Sequence, residues 1–278
     1  MQFLQGKLIT TEYEISVADP VNRPRKPVTI ALIADLHDHV IGPDNEMLLH
    51  EIRRNEPDLI LGAGDLVTAK AGFGRMENAL ILLKTLCQEY PVYVSDGNHE
   101  SRYRVLREDY PGMYRRYVES LTDMGAVYLN NKRRIVRTHG MRIALSGFIQ
   151  PLSYYNRFHP GTVTVPEMVT ALGPCSEEKE HLFELLIAHT PDHFSAYAGW
   201  GADLTVSGHI HGGIIRLPFV GGVLGGTLVP FPKYDKGLFE KQGKDGKTSR
   251  MIVSAGLGAH SIAFRVNNPP ELVILRLV

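Results

Sequence analysis

Nine short apolar runs punctuate the chain. Val28 to Ala34, Leu59 to Leu61, Val92 to Ser95, Ile135 to Val136, Arg142 to Ser146, Leu185 to Ala188, Leu204 to Ser207, Met251 to Ser254 and Leu272 to Leu277 read as strands, being short and rich in Val, Ile and Leu. Between several of them the apolar spacing changes to three and four residues. Glu46 to Asn55 puts Met47, Leu48 and Ile52 on one face, and Met76 to Glu89 repeats Ala79, Leu80, Leu83 and Leu86, so both predict amphipathic helices. Tyr114 to Met124 and Glu177 to Leu186 are further helix candidates. Strands alternating with helices are the pattern of a layered α/β protein. Leu217 to Pro232, LPFVGGVLGGTLVPFP, carries no charge and is rich in Gly and Pro. It predicts a loop or short hairpin, either a buried connection under a sheet or an apolar lip beside a site.

At 278 residues, 44% apolar and 22% charged, the chain has the balance of a folded globular protein rather than a disordered or fibrous one, and residues 1–278 are read as a single domain. Thirty basic residues against thirty acidic ones leave no net charge, so contact with phosphate backbones or anionic lipid would need a local patch. Lys132-Arg133-Arg134 comes nearest to one and reads as a solvated turn, so no nucleic-acid role is expected. The two cysteines, Cys87 and Cys175, do not make a disulfide framework, which suits a reducing compartment. The opening MQFLQGKLITTEYEIS carries Glu12 and Glu14 where a signal peptide would be apolar. No uncharged apolar stretch reaches the roughly 18 residues of a membrane-spanning helix. A soluble, cytoplasmic protein is expected, with peripheral membrane contact left open.

Five of the apolar runs end directly in metal-type side chains. Asp35-Leu36-His37-Asp38, Gly64-Asp65 and Gly97-Asn98-His99-Glu100 follow the first three runs; His189 follows Leu185 to Ala188, and Gly208-His209-Ile210-His211-Gly212 follows Leu204 to Ser207. Ligands of open α/β sheets bind outside the carboxyl ends of the strands, so these clusters should converge on one rim. Two Asp, one Asn and four His suit manganese, iron, zinc or cobalt, whereas an all-oxygen shell would suggest magnesium or calcium. Seven ligands are too many for one tetrahedral ion. They fit two ions sharing a bridging carboxylate, an arrangement that activates water against a phosphoryl group. Each motif alone is weak, since a lone His is more often a hydrogen-bonded core or surface residue; the ordered occurrence after five strands carries the weight. His50, His139, His159, His181, His193 and His260 lack such partners and are read as structural, while His39 is ambiguous.

The ordered set DLH, GD, GNHE, AHTPD and GHIHGG, spanning residues 35 to 213, resembles the calcineurin-like metallophosphoesterase superfamily. LP at 217, FPKYDKG at 231 to 237 and RVNNPPEL at 265 to 272 resemble a bacterial, phosphodiesterase-like branch with soluble and membrane-associated members. The resemblance implies a four-layer α/β/β/α sandwich of two facing mixed sheets flanked by helices. It implies that Asp35, His37 and His211 hold one cation, that Asn98, His189 and His209 hold the other, and that Asp65 bridges them. His99 then remains for acid catalysis. Arg102 and Arg104, just past GNHE, are candidate phosphate clamps or else exposed charges opening a helix. The sequence departs from the branch at Ala34, Ile210 and Ile214, where Ser, Thr or Ser, and Gln are common.

The expected function is a dinuclear, metal-dependent phosphoester hydrolase, a phosphodiesterase in the first place. Two divalent cations, Mn²⁺ first with Fe, Zn or Co as alternatives, lower the pKa of a shared water, the hydroxide attacks phosphorus, and His99 protonates the leaving oxygen. A phosphomonoesterase or pyrophosphohydrolase acting on a nucleotide or lipid-linked substrate is the alternative within that class. A non-catalytic metal-binding scaffold is the alternative outside it, and the full ligand set, with His99 added, speaks against it.

Overall fold

The computed structural model describes residues 7–156, 161–176, 180–213, 215–217, 221–224, 230–259 and 265–278. In chain order the first half holds β1 (Ile9–Ile15), β2 (Val28–Ile33), α1 (Glu46–Arg54), β3 (Leu59–Ala63), the small pair β4 (Thr68–Lys70) and β5 (Phe73–Arg75), α2 (Glu77–Glu89) and β6 (Val92–Ser95). Then come α3 (Asn98–Val105), α4 (Met113–Asp123), β7 (Val127–Tyr128), β8 (Lys132–Thr138), β9 (Met141–Phe148) and α5 (Val165–Leu172). The remainder holds β10 (Phe183–Ala188), α6 (Phe194–Trp200), β11 (Leu204–Ser207), β12 (Ile215–Leu217), β13 (Gly221–Leu224), β14 (Gly237–Gln242), β15 (Thr248–Val253) and β16 (Glu271–Leu277).

Two six-stranded mixed sheets result, ordered β1-β16-β2-β3-β6-β7 and β14-β15-β11-β10-β9-β8. In the first, β2, β3 and β6 run parallel; in the second, β9, β10, β11 and β15 do. The strand period of two explains the layering. On β2, Ile30 and Leu32 point between the sheets with Leu61, Leu145, Ile187 and Ile252, while Ala31 and Ile33 point outward to Leu48, Ile52 and Leu83 of α1 and α2. On the second sheet Leu186, Ala188 and Met251 face Phe194 and Trp200 of α6. Helix, sheet, sheet and helix therefore stack as four layers. Each wholly buried Leu or Ile adds about 1.5–3 kcal/mol over an exposed one, so the central layer is a main source of stability.

All nine expected strands are present, and the helix candidates at 46–55, 76–89 and 114–124 appear as α1, α2 and α4. Two expectations are corrected. The helix read over Glu177 to Leu186 is instead the wholly buried strand β10 from Phe183 onward, with 177–179 outside the described residues. A short continuous apolar run does not separate a buried strand from a buried helix by periodicity. Lys132-Arg133-Arg134 is not a turn but the start of edge strand β8; Arg133 lies 3.3 Å from Glu184 and 5.4 Å from the centre of the Trp200 ring. In the 217–232 segment, β12 and β13 pair antiparallel as a hairpin would, while 218–220 and 225–229 lie outside the described residues.

Candidate metal centre

The carboxyl ends of β2, β3 and β6 deliver Asp35, Asp65 and Asn98, and those of β10 and β11 deliver His189 and the His209–His211 turn, so both sheets feed one rim. The first two loops are laced together beyond their strands: Asp35 N–H donates to Gly64 O, His37 N–H to Asp65 O and Asp38 N–H to Leu66 O. Asp35, His37, Asp65, His209 and His211 all have φ between 49° and 70°. Left-handed backbone costs a residue with a Cβ on the order of 1–2 kcal/mol and persists where surrounding contacts over-determine it, a recurrent property of functional sites. Here the close approaches are visible. A Cβ on Gly97 would stand 2.3 Å from Asp65 Oδ1 and one on Gly208 2.3 Å from Asp35 Oδ2, which is why glycine precedes the Asn of GNHE and the His of GHIH.

Six of the seven candidate ligands fall into overlapping groups whose donor atoms lie within 4.8 Å of one another: Asp35, His37 and His211; His37, Asp65 and His99; Asp65, His189 and His209. Asp65 is common to the last two. Its Oδ2 lies 3.2 Å from His189 Nε2 and 3.9 Å from both His37 Nε2 and His99 Nε2, while Asp35 Oδ1 lies 3.4 Å from His211 Nε2. Asn98, the first residue of α3, is buried beside His99, and its Oδ1 has no hydrogen-bond partner among the described residues. His189 Nδ1 donates to Ala63 O at 2.7 Å, which fixes the ring orientation and turns Nε2 toward the carboxylates. His37 Nε2 and His211 Nε2 stand only 3.0 Å apart. Converging imidazole nitrogens, two buried carboxylates and an orphaned amide oxygen fit divalent cations of borderline softness.

Electrostatics agree. Burial pushes Asp35 up to about 7, aided by Asp65 and opposed by His189. Burial also acts on Asp65, but His189, His99 and His37 outweigh it and hold its carboxyl well below the usual range. His189, pulled down by burial, is carried to about 10 by Asp65 and Asp35. Protons thus stand in for cations among these groups, and metal binding would release them.

His99 is fully buried; its Nδ1 accepts the Ala69 N–H at 2.7 Å, so the ring proton sits on Nε2, the nitrogen that faces Asp65. Arg102 donates to Ala69 O and has Nη1 3.4 Å from His99 Nε2, at the edge of the centre. Arg104 lies further along α3, where its charge acts on Asp96 and Tyr114. His50 is exposed, His139 pairs with Asp58 and His181 with Asp19, and His39 is tied to Leu36 O. His159, His260 and Ile214 lie outside the described residues.

Several residues that shape the centre carried no assigned role in the sequence. Tyr155 sets its ring 5.3 Å from that of His209 and 6.4 Å from that of His189. Glu100, the last residue of GNHE, is wholly buried and accepts the backbone N–H groups of Asp65, Leu66, Val67 and Gly97 at 2.8–3.2 Å. Burial first and Asp65 second push its pKa up to about 7. Glu100→Gln turns one acceptor oxygen into a donor that faces backbone N–H groups, and a buried unmet donor costs about 1–3 kcal/mol. At pH 8 the metal-free variant is expected to lose roughly 2–4 kcal/mol in urea unfolding. An unchanged midpoint and slope would show that Glu100 does not hold this loop.

Residues 28–213 match the calcineurin-like phosphoesterases, and the chain belongs to that family of metal-dependent phosphoester hydrolases. Among its relatives, the metallophosphoesterase YkuE of Bacillus subtilis (strain 168) is 26% identical over 246 residues, 88% of this chain and 76% of the relative. The phosphodiesterase YaeI of Escherichia coli (strain K12) is 27% identical over 258 residues, 91% and 83% of the two chains. The structure of the Haemophilus influenzae NAD nucleotidase aligns with 83% of this chain at a TM-score of 0.53 and 16% identity. That likeness is one of fold, and this chain spans about half of the nucleotidase chain. Among the described residues no helix is long and apolar enough to cross a membrane.

Proposed function

We propose that the protein is a dinuclear phosphodiesterase acting on small-molecule phosphodiesters, with residues 1–278 working as a single domain. The observation that carries this reading is the position of Asp65, whose buried carboxylate is common to two groups of potential ligands. Asp35, His37 and His211 would hold one cation, Asn98, His189 and His209 the other, with Asp65 between them. The mixed imidazole and carboxylate set favours Mn²⁺, with Fe, Zn or Co as competitors. When bound, such a pair supplies Lewis acidity that activates water and offsets charge on the phosphoryl oxygens. Water attacks phosphorus and the bond to the leaving oxygen breaks. The His99 Nε2 proton meets the charge that develops on that oxygen. Arg102, whose Nη1 lies 3.4 Å from His99 Nε2, would clamp a non-bridging oxygen. The name of the E. coli relative favours diesters over monoesters. A lipid-linked ester would need the apolar 217–232 segment as a wall, and much of that segment lies outside the described residues.

Purified protein loaded with Mn²⁺ is expected to hydrolyse bis(4-nitrophenyl) phosphate, to stop on chelation, and to recover when the ion is returned. Absence of turnover on monoesters and diesters alike, with two ions bound, would leave the non-catalytic scaffold in its place.

A further inference from the structure

The family match ends at Gly213, yet the turn that carries His209 and His211 is held by residues further along the chain. His209 and His211 have φ of 70° and 57°, followed by Gly212 at 65° and Gly213 at 85°. Four left-handed residues among the five from His209 to Gly213, two of them with a Cβ, need outside contacts to persist. Three successive carbonyls of the turn have such contacts. Asn268 Nδ2 donates to His211 O at 2.5 Å and to Gly213 O at 2.6 Å, and Arg216 Nη1 donates to the intervening Gly212 O at 2.6 Å. Asp235 aims Arg216 through a 2.9 Å ion pair and accepts the Gly222 N–H at 2.7 Å. From the same C-terminal stretch, Arg265 sets Nη2 3.3 Å from His211 Nδ1. Glu271 accepts the Ala255 N–H and pairs with Lys236 at 2.7 Å, joining the 231–237 and 265–272 segments. Asn268 is buried, and a Cβ on Gly212 would stand 2.9 Å from its Oδ1, so the turn packs directly on this amide.

We propose that Asn268 and the Arg216–Asp235 pair are positioning residues that hold the His209–His211 turn in its ion-binding conformation. This rests on the dinuclear reading above. The two histidines belong to different ligand groups, so one turn sets the geometry of both. Its carbonyls face side-chain donors of fixed direction rather than mobile water. Freed of those donors, the turn relaxes toward ordinary backbone angles and swings both rings away from the carboxylates. The proposal also gives a purpose to the FPKYDKG and RVNNPPEL stretches, which contain none of the candidate ligands.

Titrating Co²⁺ into metal-free wild-type protein, Asn268→Ala, Arg216→Met and Arg216→Lys tests it, with heat of binding and the d–d absorption of the ion as readouts. Loss of a group that orients metal ligands weakens binding about 10- to 100-fold, so Asn268→Ala and Arg216→Met should each fall in that range with an altered spectrum. Arg216→Lys retains an N–H donor for Gly212 O and should recover part of the loss. A network that serves packing alone would lower the unfolding temperature and leave affinity and spectrum as in wild type; that result in folded variants overturns the proposal. Should Asn268→Ala not fold, the partly exposed Arg216 variants decide alone. Wild-type protein that takes up no Co²⁺ would overturn the dinuclear reading itself, an outcome distinct from unaltered variants.

Discussion

Asp65→Asn is expected to abolish the tight uptake of both ions and, with it, hydrolysis. In the proposed dinuclear centre two divalent cations would face two buried carboxylates, Asp35 and Asp65, and the substitution removes one of those negative charges. Asp65 is also the carboxylate shared between the group containing His37 and the group containing His189 and His209, so the loss does not stay on one side. Loss of a group that only orients a ligand already costs about 10- to 100-fold in affinity, and loss of a shared ligand should exceed that at each position. The variant retains an amide oxygen that can accept the His99 N–H, now 2.8 Å from Asp65 Oδ1, so the loop should keep its shape. Metal analysis after gel filtration of Mn²⁺-loaded protein checks this. Two ions held as tightly as in wild type would mean that Asp65 is not the bridge.

His99→Asn should separate substrates by their leaving groups. Proton donation by a positioned side chain is worth about 10²- to 10⁴-fold, but only where the leaving oxygen is basic enough to need the proton. Because the Ala69 N–H occupies Nδ1, the ring keeps its one proton on Nε2, and in the reading proposed above that N–H would meet the leaving oxygen as a hydrogen bond, with Nδ1 taking up a proton if transfer is completed. Alkyl and nucleoside diesters are therefore expected to lose rate steeply, nitrophenyl diesters much less, with both ions retained. Equal losses on good and poor leaving groups would identify His99 as a phosphate clamp instead, and loss of metal would identify it as a ligand.

The elements legible in the sequence are those whose burial is simple. β2, β3, β6, β10 and β11 lie within their sheets and are buried on both faces, so they stand out as continuous apolar runs. β1 and β14 escaped notice because they are edge strands; ITTEYEI and GLFEKQ mix charge with apolar residues. The helix α3 is legible only as one alternative for Arg102 and Arg104, for a different reason. Its sequence NHESRYRV has no apolar stripe, because the face it buries consists of Asn98, His99, Glu100, Ser101 and Tyr103. A helix built to present chemistry departs from the pattern of one built to cover a core. The candidate ligands were legible because each follows an apolar run directly. Glu100, Asn268 and Arg216 were not, since what they bind is backbone, and no spacing of side chains reports which carbonyl or N–H a distant residue will meet.

The strand order of the first sheet also bears on how the molecule is made. β16 lies between β1 and β2, paired parallel to one and antiparallel to the other. A nascent chain that has exposed residues 9–33 therefore carries two strand edges with a vacancy between them until residues 271–277 leave the ribosome. Unpaired apolar edges invite association with other chains. The segment that fills the gap also carries Asn268 and Glu271, so the strand that completes the sheet is continuous with the side chains that meet the His209–His211 turn and the loop after β15.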